Sequence, residues 1–147
     1  YLEMWGIDEQ ELKALAVANT PKRLPVDIES ISEILGRNKR EGYEVDWAES
    51  DVDKKMYVAY NDTKVYGAAA LCYPCLLSDF AEKKDSDLWI IPSSVHELII
   101  YIPDEKDDIE KIKRTVYEVN GTVLDKEDIL SNSVYWYDRQ KQELSIL

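Results

Sequence analysis

The chain has 147 residues, 45% of them apolar and 33% charged, and a formal net charge of −12 from 18 basic and 30 acidic side chains. That length suits one domain able to bury a core, and the negative charge disfavours a nucleic-acid backbone or an anionic membrane as partner, since both need a positive face. No apolar run approaches the roughly 20 residues of a membrane-spanning helix, and Tyr1-Leu2-Glu3-Met4 lacks the basic start and apolar core of a signal peptide.

Ile7 to Leu12 opens a first helix. Asp8 is placed to cap it, Glu11 lies three residues on as in a capping box, and Ile7 and Leu12 occupy hydrophobic-staple positions. Leu12, Leu15, Ala16 and Asn19 continue one face, and Thr20-Pro21 predicts its end. Leu24 to Asp27 reads as extended or looped. Ser30 and Glu33 repeat the capping-box spacing, and Ile31, Ile34 and Leu35 predict a short helix over Ser30 to Arg37, with Gly36 weakening or capping its last turn. Asn38 to Lys55 is the least ordered-looking stretch. Tyr43, Val45 and Trp47 alternate with Glu44, Asp46 and Ala48 as in a short strand. Asp46, Glu49, Asp51 and Asp53 could draw a hard cation, but the glycine and closing glutamate of a calcium loop are missing, so a solvated acidic loop is expected.

Met56 to Tyr60, a turn over Asn61 to Lys64, and the apolar run from Val65 to Leu71 predict a hairpin whose second strand is covered on both faces. Pro74 fits the first turn of a helix carrying Leu76, Leu77, Phe80 and Ala81 on one face. Leu88 to Ile91 and Leu98 to Ile102 are two further strands, each stopped by a proline. A helix then starts within Asp104 to Asp108, shows an apolar stripe of Ile109, Ile112, Val116 and Val119, and is expected to stop at Asn120-Gly121. Asp125 to Asp128 opens a last short helix with Ile129 and Leu130. A hairpin from Val134 to Leu147 closes the chain. Strands that come as neighbouring pairs predict an α+β fold: a mixed, mostly antiparallel sheet built from hairpins, with helices packed against it, over a single domain of residues 1–147.

Both cysteines and the single histidine fall between Val65 and Pro103. Cys72-Tyr73-Pro74-Cys75 precedes a helix, where a thiolate gains from the helix dipole and free N–H groups. A thioredoxin-like site needs in addition a cis-proline facing the thiols. Pro92 is the nearest candidate and lies too close in sequence, so two buried, inert thiols are expected. A zinc site lacks ligands, because only His96 could join the two thiols. In Pro92 to Glu97, Ser94 and His96 would share one face of a strand and Glu97 the other, but no glycine-rich elbow surrounds either serine. A serine that bonds backbone at a turn is the plainer reading. Cys72, Cys75, Ser94 and His96 are thus the candidate catalytic residues, none of them compelling, and no metal or cofactor is implied.

Several stretches together carry a resemblance: Leu2 to Ile7 (LEMWGI), Asn19-Thr20-Pro21, Gly67-Ala68-Ala69, Tyr73-Pro74, Ile91 to Glu97 (IPSSVHE), Val119-Asn120, and Ser131 to Asp138 (SNSVYWYD). The chain resembles an uncharacterised family of bacterial proteins, common in clostridial gut bacteria and catalogued as a domain of unknown function. The resemblance implies the C-terminal part of a longer protein, in keeping with the missing start methionine, and it supplies no catalytic residues. It also implies that the position of Cys75 is often glycine and that of Cys72 apolar, which would make the pair a feature of this chain alone.

The expected function is a non-catalytic interaction or structural module of a cytoplasmic protein. An aromatic rim including Trp89, Tyr135, Trp136 and Tyr137 would contact the missing N-terminal region or another protein, and a homo-oligomer is possible. The alternatives are a thiol–disulfide or metal–thiolate role for Cys72 and Cys75, and a hydrolase-like pocket around Ser94 and His96.

Overall fold

A computed structural model describes residues 1–41 and 54–147. The elements run α1 (Leu2–Trp5), α2 (Glu9–Arg23), β1 (Val26–Ser30), α3 (Ile31–Arg40), β2 (Met56–Asn61), a 3-10 helix (Gly67–Cys72), α4 (Leu76–Lys84), β3 (Leu88–Ile91), β4 (Leu98–Tyr101), α5 (Ile109–Thr122), β5 (Tyr135–Asp138) and β6 (Glu143–Ile146). The strands form one sheet in the order β1-β2-β4-β3-β5-β6. The fold is α+β, as expected, and the sheet is antiparallel at every pairing rather than mixed.

Side-chain alternation along the strands divides the core in two. On one face Ala59, Leu88, Ile90, Leu98 and Ile100 pack with Leu77, Phe80 and Ala81 of α4 and Ala70 of the 3-10 helix. On the other face Ile91 and Tyr101 pack with Val116 of α5 and Val134, flanked by Met56, Trp89, Ile99, Ile109 and Ile112. The all-apolar sequences of β3 and β4 follow from this, because both faces of the central strands are covered.

Capping decides several boundaries. Asp8 Oδ1 accepts from the Glu11 N–H at 2.8 Å, and Ser30 and Glu33 close a full capping box at the start of α3. Asp108 Oδ1 accepts from the N–H groups of Glu110 and Lys111 at the start of α5.

Other expectations are corrected. Val65 to Leu71 is not a strand, and the hairpin with β2 does not form. Lys64 and Tyr66 take left-handed backbone angles, with φ of 53° and 55°. The following Gly-Ala-Ala-Ala run, poor in β-branched side chains, winds into the 3-10 helix. Pro74 lies outside α4, which starts at Leu76. Helix α2 runs through Pro21 to Arg23 and closes with the Leu24 N–H on Thr20 O; a proline in the last turn interrupts little. Helix α3 contains Gly36 and continues to Arg40. Helix α5 passes Asn120-Gly121, and its end is set by the Val123 N–H on Val119 O. Residues 125–130 form turns instead of a helix, because Val95 N–H bonds Asp128 O and Leu130 N–H bonds Ser93 O, drawing this segment onto residues 93–95. The short helix α1 was not anticipated. The expected strand around Tyr43 to Trp47 and the carboxylate cluster from Asp46 to Asp53 lie outside the described residues.

Candidate functional site

A cleft of about 260 Å³ opens between α3 and β2 on one side and the loops after β2 and β3 on the other. Ile31, Ile34 and Arg37 reach it at helical spacing from α3, and Val58 and Tyr60 share one face of β2. Lys64, His96 and Glu97 close it. Its floor is apolar and its rim polar.

Glu29 organises one side. Arg37 donates to both its carboxylate oxygens, Nη1 to Oε1 at 2.7 Å and Nη2 to Oε2 at 2.8 Å. The Tyr60 hydroxyl donates to Oε2 as well. Glu29 sits opposite Val58 in the β1–β2 ladder, which places it diagonally from Tyr60. The Arg37 fork, then the Tyr60 hydroxyl, hold the Glu29 carboxyl down to about 2 from its usual 4.5. The same bonds raise Arg37 and Tyr60, in each case chiefly through Glu29.

His96 organises the other side. Its Nδ1 lies 3.4 Å from the Tyr66 N–H and its Nε2 3.0 Å from Asp128 Oδ1. A backbone N–H can only donate, so Nδ1 accepts and the proton belongs on Nε2, facing the carboxylate. The Tyr66 ring lies beside the imidazole, with centroids 6.0 Å apart. Ser94 Oγ accepts from the His96 N–H at 3.0 Å, a side chain-to-backbone turn. Ser94 itself is buried and bridges Ile129. The ring nitrogens of His96 therefore engage Tyr66 and Asp128, and the Ser94 hydroxyl engages backbone. Glu97 lines the cleft next to them.

Gly67 locks this corner. A Cβ there would meet the His96 carbonyl oxygen at 2.3 Å, and the Ala68 N–H reaches Val95 O at 3.3 Å. The loop holding Ser94 and His96 is thus clasped between residues 66–68 and 128–130.

Cys72 and Cys75 lie elsewhere, and both are free and exposed, not buried as expected. Cys72 ends the 3-10 helix. Cys75 precedes α4 with φ of 63°, and its carbonyl accepts from the Asp79 N–H at 2.8 Å and the Ser78 hydroxyl at 3.0 Å. Of the aromatic rim, Tyr137 is buried. Trp89 stacks on Tyr101 with ring centroids 5.6 Å apart, and Trp136 Nε1–H donates to Asp87 Oδ2 at 3.2 Å. Tyr135 packs at the edge of the core. Among the described residues no group of three His, Cys, Asp or Glu could hold a metal ion, and no helix is long and apolar enough to cross a membrane.

Sequence reasoning missed a further cluster. Lys55 Nζ contacts Asp104 Oδ2 at 2.6 Å and Asp107 Oδ2 at 3.0 Å, while the buried Tyr101 donates its hydroxyl to Asp107 Oδ1 at 2.9 Å. Burial, then the bond to Asp107, pushes the Tyr101 phenol up to about 12. Tyr101, Asp104 and Asp107 are neighbours in sequence, but Lys55 stands 49 and 52 residues from its two carboxylates, a pairing no local pattern announces.

The family model described as Family of unknown function (DUF5688) matches residues 1–139, which reach from α1 through β5. The chain belongs to that family. Both the Glu29–Arg37–Tyr60 cluster and the His96 corner fall inside the matched region, and β6 lies beyond it. No curated protein and no solved structure matches this chain.

Proposed function

We propose that the chain is a non-catalytic interaction module, and that it acts by pairing α2 with α2 of a second copy. The observation that carries this reading is α2 itself: fifteen residues, not one of them buried. A helix of that length is marginal alone in water and draws most of its stability from packing. Leu12 and Leu15, which the spacing assigns to one stripe with Ala16 and Asn19, are 38% and 45% exposed. Met4 and Trp5 stand exposed just before it. The stripe repeats at i, i+3, i+4 and i+7, the spacing by which helices take helical partners.

Charge selects the partner and its direction. Glu9 and Glu11 occupy the first turn of α2, and Lys22 and Arg23 the last. Two copies laid antiparallel set the acidic start of each against the basic end of the other, in a self-complementary two-fold contact. The net charge of −12 on each copy opposes approach, but at physiological ionic strength the Debye length is about 8 Å, so contacts along the stripe survive screening. The paired polar groups of the His96 cleft fit a module without chemistry of its own.

Sedimentation of the intact chain over a wide concentration range tests the reading. A dimer is expected, dissociated by Leu12→Asp with Leu15→Asp. Reversing Lys22 and Arg23 to Glu should weaken it, and reversing Glu9 and Glu11 to Lys in the same chain should restore it. A chain that stays monomeric at the highest concentration, or a dimer indifferent to the leucine changes, overturns the pairing.

The exposure of both thiols favours a second reading, thiol–disulfide exchange at Cys72 and Cys75. Titration of the folded chain with a chromogenic disulfide separates it from a passive surface role. Rapid attack well below the ordinary thiol pKa of about 8.5 supports it, and ordinary slow kinetics at both positions removes it.

A further inference from the structure

Two unlike charges stand at the mouth of the cleft beside α3 without meeting. Lys64 and Glu97 both line it and both are exposed, and among the described residues neither side chain makes a hydrogen bond or an ion pair. The other polar groups of the rim are engaged, Arg37 and Tyr60 with Glu29, and His96 with Tyr66 and Asp128. Backbone holds the two charges in place. Lys64 and Tyr66 take left-handed angles, with φ of 53° and 55°; such angles are costly for residues other than glycine and cluster at ligand clamps. The Tyr66 N–H reaches His96 Nδ1 at 3.4 Å, which ties the loop of Lys64 to that of Glu97. Leu98 pairs with Ala59, so Glu97, one residue earlier, stands beside Tyr60 on the strand face that carries Val58. Between the charges the floor is Ile31, Ile34 and Val58.

We infer that this cleft binds a small zwitterion with an apolar body, an aliphatic α-amino acid of about leucine's size, its carboxylate on Lys64 and its ammonium on Glu97. Charge disfavours simpler ligands. A lone anion would face the Glu97 carboxylate and a lone cation the Lys64 ammonium, and like charges set together are costly. A zwitterion meets both groups with charge-assisted bonds, and its side chain leaves water for the isoleucine and valine floor. The volume of about 260 Å³ sets the size. It exceeds the roughly 150 Å³ cavity that takes up benzene and falls below the roughly 300 Å³ at which drug-sized sites begin. No residue of α2 lines the cleft, so this site stands apart from the pairing proposed above.

The test titrates leucine, 4-methylpentanoate and 3-methylbutylamine into the intact chain with labelled isoleucine methyls. The second probe is leucine without its ammonium, and the third is leucine without its carboxylate. Leucine is expected to shift the methyls of Ile31 and Ile34 saturably, and each truncated probe to bind about tenfold more weakly or worse, the worth of one charge-assisted hydrogen bond. Glu97→Gln should erase leucine's advantage over 4-methylpentanoate, and Lys64→Met its advantage over 3-methylbutylamine. Both substitutions change side chains that stand in solvent, so the remaining methyl signals should persist. Absence of saturable shifts with leucine, equal affinity for the three probes, or leucine binding unchanged in either variant would each overturn the assignment.

Discussion

Gly67 carries more of this fold than its size suggests. Any side chain there meets a backbone oxygen, that of His96, in a loop whose Ser93 and Val95 are bonded to Leu130 and Asp128. Backbone so clasped has little room to yield. Gly67→Ala should therefore lower stability by about 1–3 kcal/mol, the usual cost of overpacking, measured by urea unfolding. Gly36→Ala is the control: its added methyl meets nothing within 4 Å, and in a helix interior it should stabilise slightly. The sequence placed Gly67 in an apolar run and so suggested a strand. The contact that decides the matter is with a residue 29 positions later, which no local pattern records. The Ser94 turn, by contrast, was readable, because a serine that bonds the backbone two residues on is a local event.

At the scale of elements, one carboxylate ties three of them together. Glu29 on β1 holds Arg37 of α3 and Tyr60 of β2. Its pKa is lower folded, at about 2, than the ordinary 4.5. The folded state thus binds the proton less readily, so the contribution to stability is complete above pH 4.5 and is lost as pH falls toward 2. Glu29→Gln should remove this part of the acid dependence. Urea midpoints of the variant and the parent chain should differ most above about pH 5 and converge near pH 2; a constant difference would mean that Glu29 is not held by Arg37. Element boundaries were legible where a cap fixes them, as at Asp8 and Ser30. They were misread where a distant partner takes over, as at Asn120, whose buried amide holds Ser131 and Asn132 while α5 runs on.

For the whole molecule, the α+β class followed from apolar runs too short to be helices and from stripes at helical spacing. Which strands sit side by side did not follow, since β2 beside β4 and β3 beside β5 are choices made across long stretches of chain. The cleft beside α3 was not foreseeable, because it gathers residues from elements remote in sequence. The distribution of burial predicts an uneven stability. Amide exchange should be slowest in β3 and β4, where Leu88, Ile90, Leu98 and Ile100 have no exposed surface, and fastest in α2, with opening free energies near zero in the isolated chain. Exchange in α2 as slow as in β3 at low concentration would contradict its solvated description.

The central place of β3 and β4 also bears on how the chain finds its fold. Ile91 and Ile99 pair across 8 residues, whereas Leu88 and Tyr137 pair across 49. Loop-closure entropy makes the second pairing costlier by roughly 1.6 kcal/mol. A local hairpin can therefore form first and offer both its edges as templates, with β2 joining one side and β5 the other. The β5–β6 hairpin is local too, with Asp138 and Glu143 paired across 5 residues, so the sheet grows by joining two ready hairpins, and β1, whose nearest pairing with β2 spans 27 residues, is the outer strand that closes late.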